Sequence, residues 1–388
     1  MKKLLFLAAA VTLVACSKTD NFKDTQEVAI DFTDIHIEKS TKASYTNVAS
    51  LEADARGFGV FGAKTKGTTV EKVFGKSTAE SNGGAQVTYS STAINTGTNT
   101  TTHWTYSPKR YWDKGADSYQ FYAYAPYNVA TTANNTTTYL LGTVAWDETE
   151  GAEGFSITGF KQNTNVDDMV DILTDLENQT NNTSKTNNVN FSFKHSLSNI
   201  NFYMAVSPEL KADEEDNPVS VNSLTLGAIK MDGDYAYVTN AYKWTLASTP
   251  TTHTFSATQT SNKVFGEKDL KAKENTSTNS LQANQIGDPT IVDGLNDLLF
   301  IPQVLPTTTG TEYVVTIEYM IGTETFNRTI KLNEFFKKDS NDNIVYASEW
   351  VSGYKYNYYL VISLTPIEFD VTGLSDWTGT DSYEYVIQ

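Results

Sequence analysis

At 388 residues the chain is long enough to bury one or two hydrophobic cores. A formal net charge of −17 leaves no basic surface dense enough to displace counterions from a phosphate backbone, which excludes nucleic acid as a partner. One cysteine in the whole chain excludes an internal disulfide, so stability has to come from packing.

Lys2 and Lys3 precede an apolar run from Leu4 to Val14, broken only by Thr12. The run is too short for a membrane-spanning helix, which needs about 20 residues, and suits the apolar region of a secretory signal. It closes on Leu13-Val14-Ala15-Cys16, which resembles the lipobox of bacterial lipoprotein precursors. That resemblance implies a signal peptide over 1–15, cleavage before Cys16 and lipid on its sulfur and new amino terminus. Residues 16–27 are polar and read as a tether.

Beyond the tether the patterns are those of strands. In VAIDFTDIHIE, Val28, Ile30 and Phe32 share one face, and Ile35 and Ile37 resume on the other phase, which predicts a bulge near Thr33-Asp34. Helical periodicity is confined to Val48–Ala55 and Leu332–Lys338. GFGVFG at 57–62 and YQFYAYAP at 119–126 follow as strands. In the latter, Tyr122 and Tyr124 face away from Phe121 and are expected at the surface, as is Tyr359. NFSFKHSLSNINFYMAV at 190–206 changes phase at Ser198-Asn199. KMDGDYAY at 230–237 has Asp-Gly between strand-like flanks and predicts a tight hairpin. YKYNYYLVISL puts Tyr354, Tyr356, Tyr358, Leu360, Ile362 and Leu364 on one face. Polar Thr/Asn/Gly/Ser segments at 81–103, 131–138, 176–188 and 270–288 read as loops. Many short strands with polar turns predict an all-β chain of antiparallel β-sandwiches. The length suggests two domains, 28–186 and 187–388.

Chemistry-bearing motifs are scarce. No phosphate-binding loop, zinc-protease helix, nucleophile elbow or paired C-x-x-C is present. His36, His103, His195 and His253 have no ligand spacing. His195 lies in phase with Phe193 and Leu197, as a hydrogen-bonded core histidine would. Asp167, Asp168, Asp171 and Asp175 do not match a calcium loop and read as the solvated acidic ends of a strand. No enzyme, metal or cofactor is implied.

Taken in order, the lipobox, VAIDFTDIHIE with STKA, GFGVFG, YWDKGADSYQFYAYAP, VDILTD, FSFKHSLSNINF, FIPQ at 300–303 and WVSGYKYNYYLVISL running on to Trp377 resemble the fimbrillin-like proteins of Bacteroidetes, the subunits of type V fimbriae. The resemblance covers essentially the whole chain after the signal. It implies two tandem transthyretin-like β-sandwich domains and a lipoprotein carried to the outer membrane. It further implies that a trypsin-like protease removes the first strand and that the carboxy-terminal region of another subunit fills the vacated groove, giving an extracellular fimbrium that supports adhesion. Here the removable strand would be Val28 to Ile37, and the donor would lie in Thr365 to Gln388. Arg56, one of three arginines with Arg110 and Arg328, is one processing candidate. Lys42 is the other, standing where many relatives carry arginine. Partners are then other fimbrial subunits, the outer membrane through Cys16, and host or bacterial surface glycans or proteins. The alternative is a non-polymerising, lipid-anchored tip, anchor or ligand-binding protein of the same fold.

Overall fold

The computed structural model describes residues 28–38, 45–95, 101–133, 136–176, 188–206, 219–249, 252–264, 297–338, 343–362 and 379–387. Cys16, Lys42 and the segment 270–288 lie outside them. Almost every element is a strand. The first part runs β1 (Phe32–Ile37), helix α1 (Val48–Ala53), β2 (Phe58–Lys66), β3 (Thr69–Phe74), β4 (Ala85–Asn95), β5 (Thr101–Thr105) and β6 (Ser118–Ala125). Next come β7 (Ala130–Ala133), β8 (Thr136–Tyr139), β9 (Thr143–Trp146), β10 (Phe155–Lys161), β11 (Leu173–Asp175) and β12 (Val189–His195). The chain continues through β13 (Ser198–Val206), β14 (Val219–Lys230), β15 (Asp232–Val238), β16 (Ala241–Leu246), β17 (Thr252–Val264) and β18 (Leu298–Phe300). It ends with β19 (Val314–Ile321), β20 (Glu324–Lys331), β21 (Phe336–Lys338), β22 (Ile344–Tyr346), β23 (Tyr354–Ile362) and β24 (Gly379–Ile387).

These strands form stacked sheets. An eight-stranded sheet has the order β1-β12-β11-β6-β2-β4-β5, with β3 beside β2, and a four-stranded sheet has the order β16-β15-β10-β9. Phe61, Tyr122 and Tyr124 project from the large sheet onto Trp146 and Phe155 of the small one. The carboxy-terminal pair is a six-stranded sheet, β18-β13-β23-β24-β21-β22, and a four-stranded sheet, β17-β14-β19-β20. There Phe300 meets Phe255 across the two layers. The fold is an all-β assembly of sandwiches. Among the described residues its pairings are antiparallel with three exceptions: β1 with β12, β13 with β23, and β23 with β24 run parallel. One apolar cluster extends from Phe61 and Tyr124 to Tyr358 and Ile362, while a second covers the other face of the large sheet. Hydrogen bonding also crosses residues 186 and 187, because β12 pairs with β1 and β11, and the hairpin β15–β16 pairs with β10.

Several local expectations resolve in physical terms. The register of β1 shifts between Phe32 and Ile35, where the phase slip predicted a bulge. The break at Ser198 separates β12 from β13, which enter different sheets. On β23, Tyr356, Tyr358, Leu360 and Ile362 are buried together. By contrast, Asp232-Gly233 is not a hairpin turn. Both residues belong to β15, which pairs with β10 and β16, and the turn falls at Thr239-Asn240, both with positive φ. Gly233 is required for a different reason: a Cβ there would stand 2.4 Å from the Thr245 carbonyl oxygen. Tyr122 and Tyr124 are fully buried rather than exposed, since β6 lies mid-sheet and both of its faces are covered there. Segments 81–103 and 131–138 contain β4, β5 and the hairpin β7–β8, so β-branched threonine outweighed their polarity. Leu332–Lys338 is a single 3₁₀ turn, Leu332–Glu334, followed by β21.

Candidate functional site: the first strand and its groove

Strand β1 lies at the edge of the large sheet and is held along both sides. On one side it runs parallel to β12, with the Val189 N–H donating to the Asp31 carbonyl and the Glu38 N–H to the Phe193 carbonyl, each at 2.9 Å. On the other side residues 102–112 close over it. Ile30 N–H donates to the Arg110 carbonyl and Trp112 N–H to the Val28 carbonyl, both at 2.9 Å. Tyr106 Oη donates to the Ile30 carbonyl at 2.6 Å, and Thr102 Oγ1 to that of Phe32 at 2.5 Å.

The buried face of β1 and of the residues leading into it, from Val28, is a plug. Ile30 and Phe32 are fully buried, and the Phe32 ring sits 5.5–6.1 Å from those of Phe58, Phe74, Tyr106 and Phe191. Burial of each such side chain is worth about 2 kcal/mol. Between them Asp31, 2% exposed, meets Lys109 Nζ at 3.4 Å. Lys109 lies 4.6 Å from the Tyr106 ring centroid, and Arg110 lies 4.6 Å from that of Phe74 while pairing with Glu80. Burial pushes the Tyr106 phenol well above the usual tyrosine range, and the Asp31 carboxylate adds to the effect.

The segment after β1 is pinned differently. Tyr45 is buried; its N–H points at Asp171 Oδ2 at 3.4 Å, while Asp171 Oδ1 lies 3.0 Å from His195 Nδ1. Tyr45 Oη donates to Asp54, which Arg56 grips through Nε at 2.9 and 3.0 Å and Nη2 at 2.7 Å. Burial alone would raise the Asp54 carboxyl, but the hydrogen bonds from Arg56 and Tyr45 hold it below the usual carboxylate range. Asn47 and Ser50 cap α1 reciprocally, and Leu51 fills the core beneath. The Arg56–Gly57 peptide is tied on each side. Gln86 donates to the Arg56 carbonyl, Gly57 N–H reaches the Asp54 carbonyl, and Tyr127 donates to that of Gly57, at 2.9–3.0 Å.

The remaining predicted residues scatter. Asp171 and Asp175 are buried, contrary to the expected solvated ends, because Asp171 pairs with His195 and Asp175 accepts from Ser192 N–H at 2.6 Å. His36 pairs with Asp34 at the surface, and His103 Nδ1 donates to the Ser90 carbonyl at 2.7 Å. Among the described residues no three His, Cys, Asp or Glu side chains gather as a metal site. Of the expected donor tail, Gly379–Ile387 is described: β24 lies between β23 and β21 in its own sheet. The residues sequence reasoning missed are Tyr106, Lys109 and Arg110. The signal for Lys109 is Asp31 itself, a buried acid inside an apolar strand that calls for a cation beside it.

Fold and groove together define a β-sandwich protein with a separately clasped first strand. The sequence model of the fimbrillin-like family matches residues 41–377, and the chain belongs to that family. It is 26% identical over 208 residues to the fimbrium subunit Fim1C of Phocaeicola vulgatus; the match takes in 52% of this chain and spans about half, 50%, of that relative's length. A fimbrial protein of Bacteroides vulgatus of known structure is 20% identical, with TM-score 0.44, covering 88% of this chain and 97% of its own. A structure from Bacteroides uniformis described as a cell adhesion protein is 15% identical, with TM-score 0.44, covering 89% and 96%.

Proposed function

We propose that the chain is a structural subunit of a cell-surface type V fimbria, exported as a lipoprotein on Cys16 and polymerised by strand exchange once β1 has been removed. The observation that carries this reading is β1 itself. It is an edge strand, parallel to its one sheet neighbour, with Phe32 in a groove lined by Phe58, Phe74, Tyr106 and Phe191. A groove so emptied exposes aromatic surface and unpaired backbone groups, and a second strand restores both. Such head-to-tail joining does not close on itself and gives a fibre.

Of the two processing candidates, Lys42 fits better. A cut there releases β1 and leaves Tyr45, α1 and Leu51 in place. A cut after Arg56 would carry off Tyr45 and Leu51, strip Asp171 of a partner, and require a peptide bonded on each side to unfold locally first. The test begins with the full chain expressed in cells given labelled palmitate, with the label mapped by mass spectrometry. The membrane-extracted protein is then exposed to a trypsin-like protease and run on gels without boiling. Label at Cys16, a new terminus at Ala43 and a ladder of multimers are expected. A terminus at Gly57 would move the site to Arg56. An unlabelled chain, or a processed monomer with no ladder, would overturn the lipoprotein or the polymer reading respectively.

A further inference from the structure

The clasp over β1 does more than cover an apolar strand. Ile30, Asp31 and Phe32 are read separately: Ile30 and Phe32 enter the core, and the carboxylate between them is met by Lys109. An ion buried within an apolar strand is costly unless paired, so Lys109 favours an acid at this position and disfavours a neutral or basic residue. The bonds to Arg110, Tyr106, Thr102 and Val189 fix the register, so the triplet cannot slide. Whatever replaces β1 has to offer an isoleucine-like residue, an acid and an aromatic in succession, running parallel to β12.

The sequence contains isoleucine, acid and aromatic in succession at three places: 30–32, 317–319 and 367–369. Ile317-Glu318-Tyr319 is committed to β19, bonded by β14 on one side and β20 on the other, with Ile317 and Tyr319 buried. Tyr383-Glu384-Tyr385 lacks the isoleucine and already lies in β24, between β23 and β21. Ile367-Glu368-Phe369 falls between the end of β23 and the start of β24. The flanking residue agrees too. Pro366 would replace Ala29, whose N–H takes part in none of the bonds named for the clasp, while Thr365 keeps a carbonyl for Trp112 and Ile367 keeps the N–H for Arg110.

We infer that Ile367-Glu368-Phe369 of a second copy of this chain occupies the places of Ile30-Asp31-Phe32, with Glu368 facing Lys109 and Phe369 in the ring of Phe58, Phe74, Tyr106 and Phe191. The inference rests on the strand-exchange reading above and names the residues and the partner that complete it. The groove thereby discriminates among strands by one charge: a donor with a basic or neutral residue at the middle position leaves Lys109 facing no anion.

The full chain with Glu368→Lys, Lys109→Glu, or both, is processed as above and scored for multimers. Each single reversal is expected to lower the multimer fraction roughly tenfold or more, and the double reversal to restore it. Because Lys109→Glu also loosens β1 before processing, a second measurement uses the processed wild-type chain. A synthetic Thr365–Val371 peptide should block the ladder, and the same peptide carrying Glu368→Lys should not. A ladder from the Glu368→Lys chain equal to wild type, or equal blocking by both peptides, would overturn the assignment while leaving strand exchange intact. Failure of the unmodified chain to form any ladder would overturn strand exchange, and this occupant with it.

Discussion

Asp171 and Asp34 each face a histidine, yet the two pairs differ in what they hold. Asp34 and His36 are both more than half exposed at 2.8 Å, where solvent offsets most of the attraction. Asp171 and His195 are almost wholly buried, and Asp171 also faces the Tyr45 N–H, which ties the segment after β1 to the end of β12. Asp171→Ala should therefore cost about 3 kcal/mol by urea unfolding, since it strips buried partners of their acceptor. Asp34→Ala should stay within about 0.5 kcal/mol. Equal effects would mean that the buried pair is not what anchors Tyr45. Lys109 and Asp31 follow the same logic as the buried pair, with the difference that their strand is the one proposed to leave.

At the level of elements, period-2 patterns made β1, β12, β13 and β23 legible, because alternation reports a covered face directly, whereas β2 and β6 read only as short apolar runs. The phase slips at Thr33-Asp34 and at Ser198 were equally readable, since a one-residue shift reverses every side chain that follows. Partner choice was not readable. Nothing in KMDGDYAY says that Asp232 belongs with Lys161 and not with its upstream neighbours, and a glycine needed for close approach of Thr245 looks in sequence like a turn glycine. Tyr122 and Tyr124 were misplaced because alternation assumes one wet face, and β6, in the middle of the sheet, is covered on both faces there. Lys109 was missed because a cation 78 positions from its acid leaves no periodic trace. The Gly233 account is testable. Gly233→Ala should destabilise by about 2 kcal/mol or more, whereas Gly227→Ala, whose nearest neighbour would be 3.6 Å away, should change stability by about 0.5 kcal/mol at most. A neutral Gly233→Ala would show that β15 and β16 can part without cost.

Across the whole molecule, aromatic burial sets the response to alkali. Burial lifts the Tyr122 and Tyr313 phenols to about 12, and Tyr45, Tyr106, Tyr124 and Tyr242 well above the usual range. A group whose folded value is raised stabilises fully below its unfolded value, about 10, and loses that contribution as pH rises toward the folded one. The urea midpoint should thus hold up to about pH 10 and fall steeply above it. Tyrosinate absorbance should rise chiefly with unfolding. A smooth titration of all tyrosines near pH 10 in a still-folded chain would contradict the burial described here.

The bonds that hold β1 and the residues leading into it lie across the strand axis, toward β12 on one side and toward Arg110 and Trp112 on the other. A pull along the strand strains all of them together, whereas a pull across it breaks them one after another from an end. A neighbour seated in that groove and dragged along its own length is loaded in the first way. The proposed filament, joined by such seats, would resist flow along its length far better than sideways peeling at any one joint.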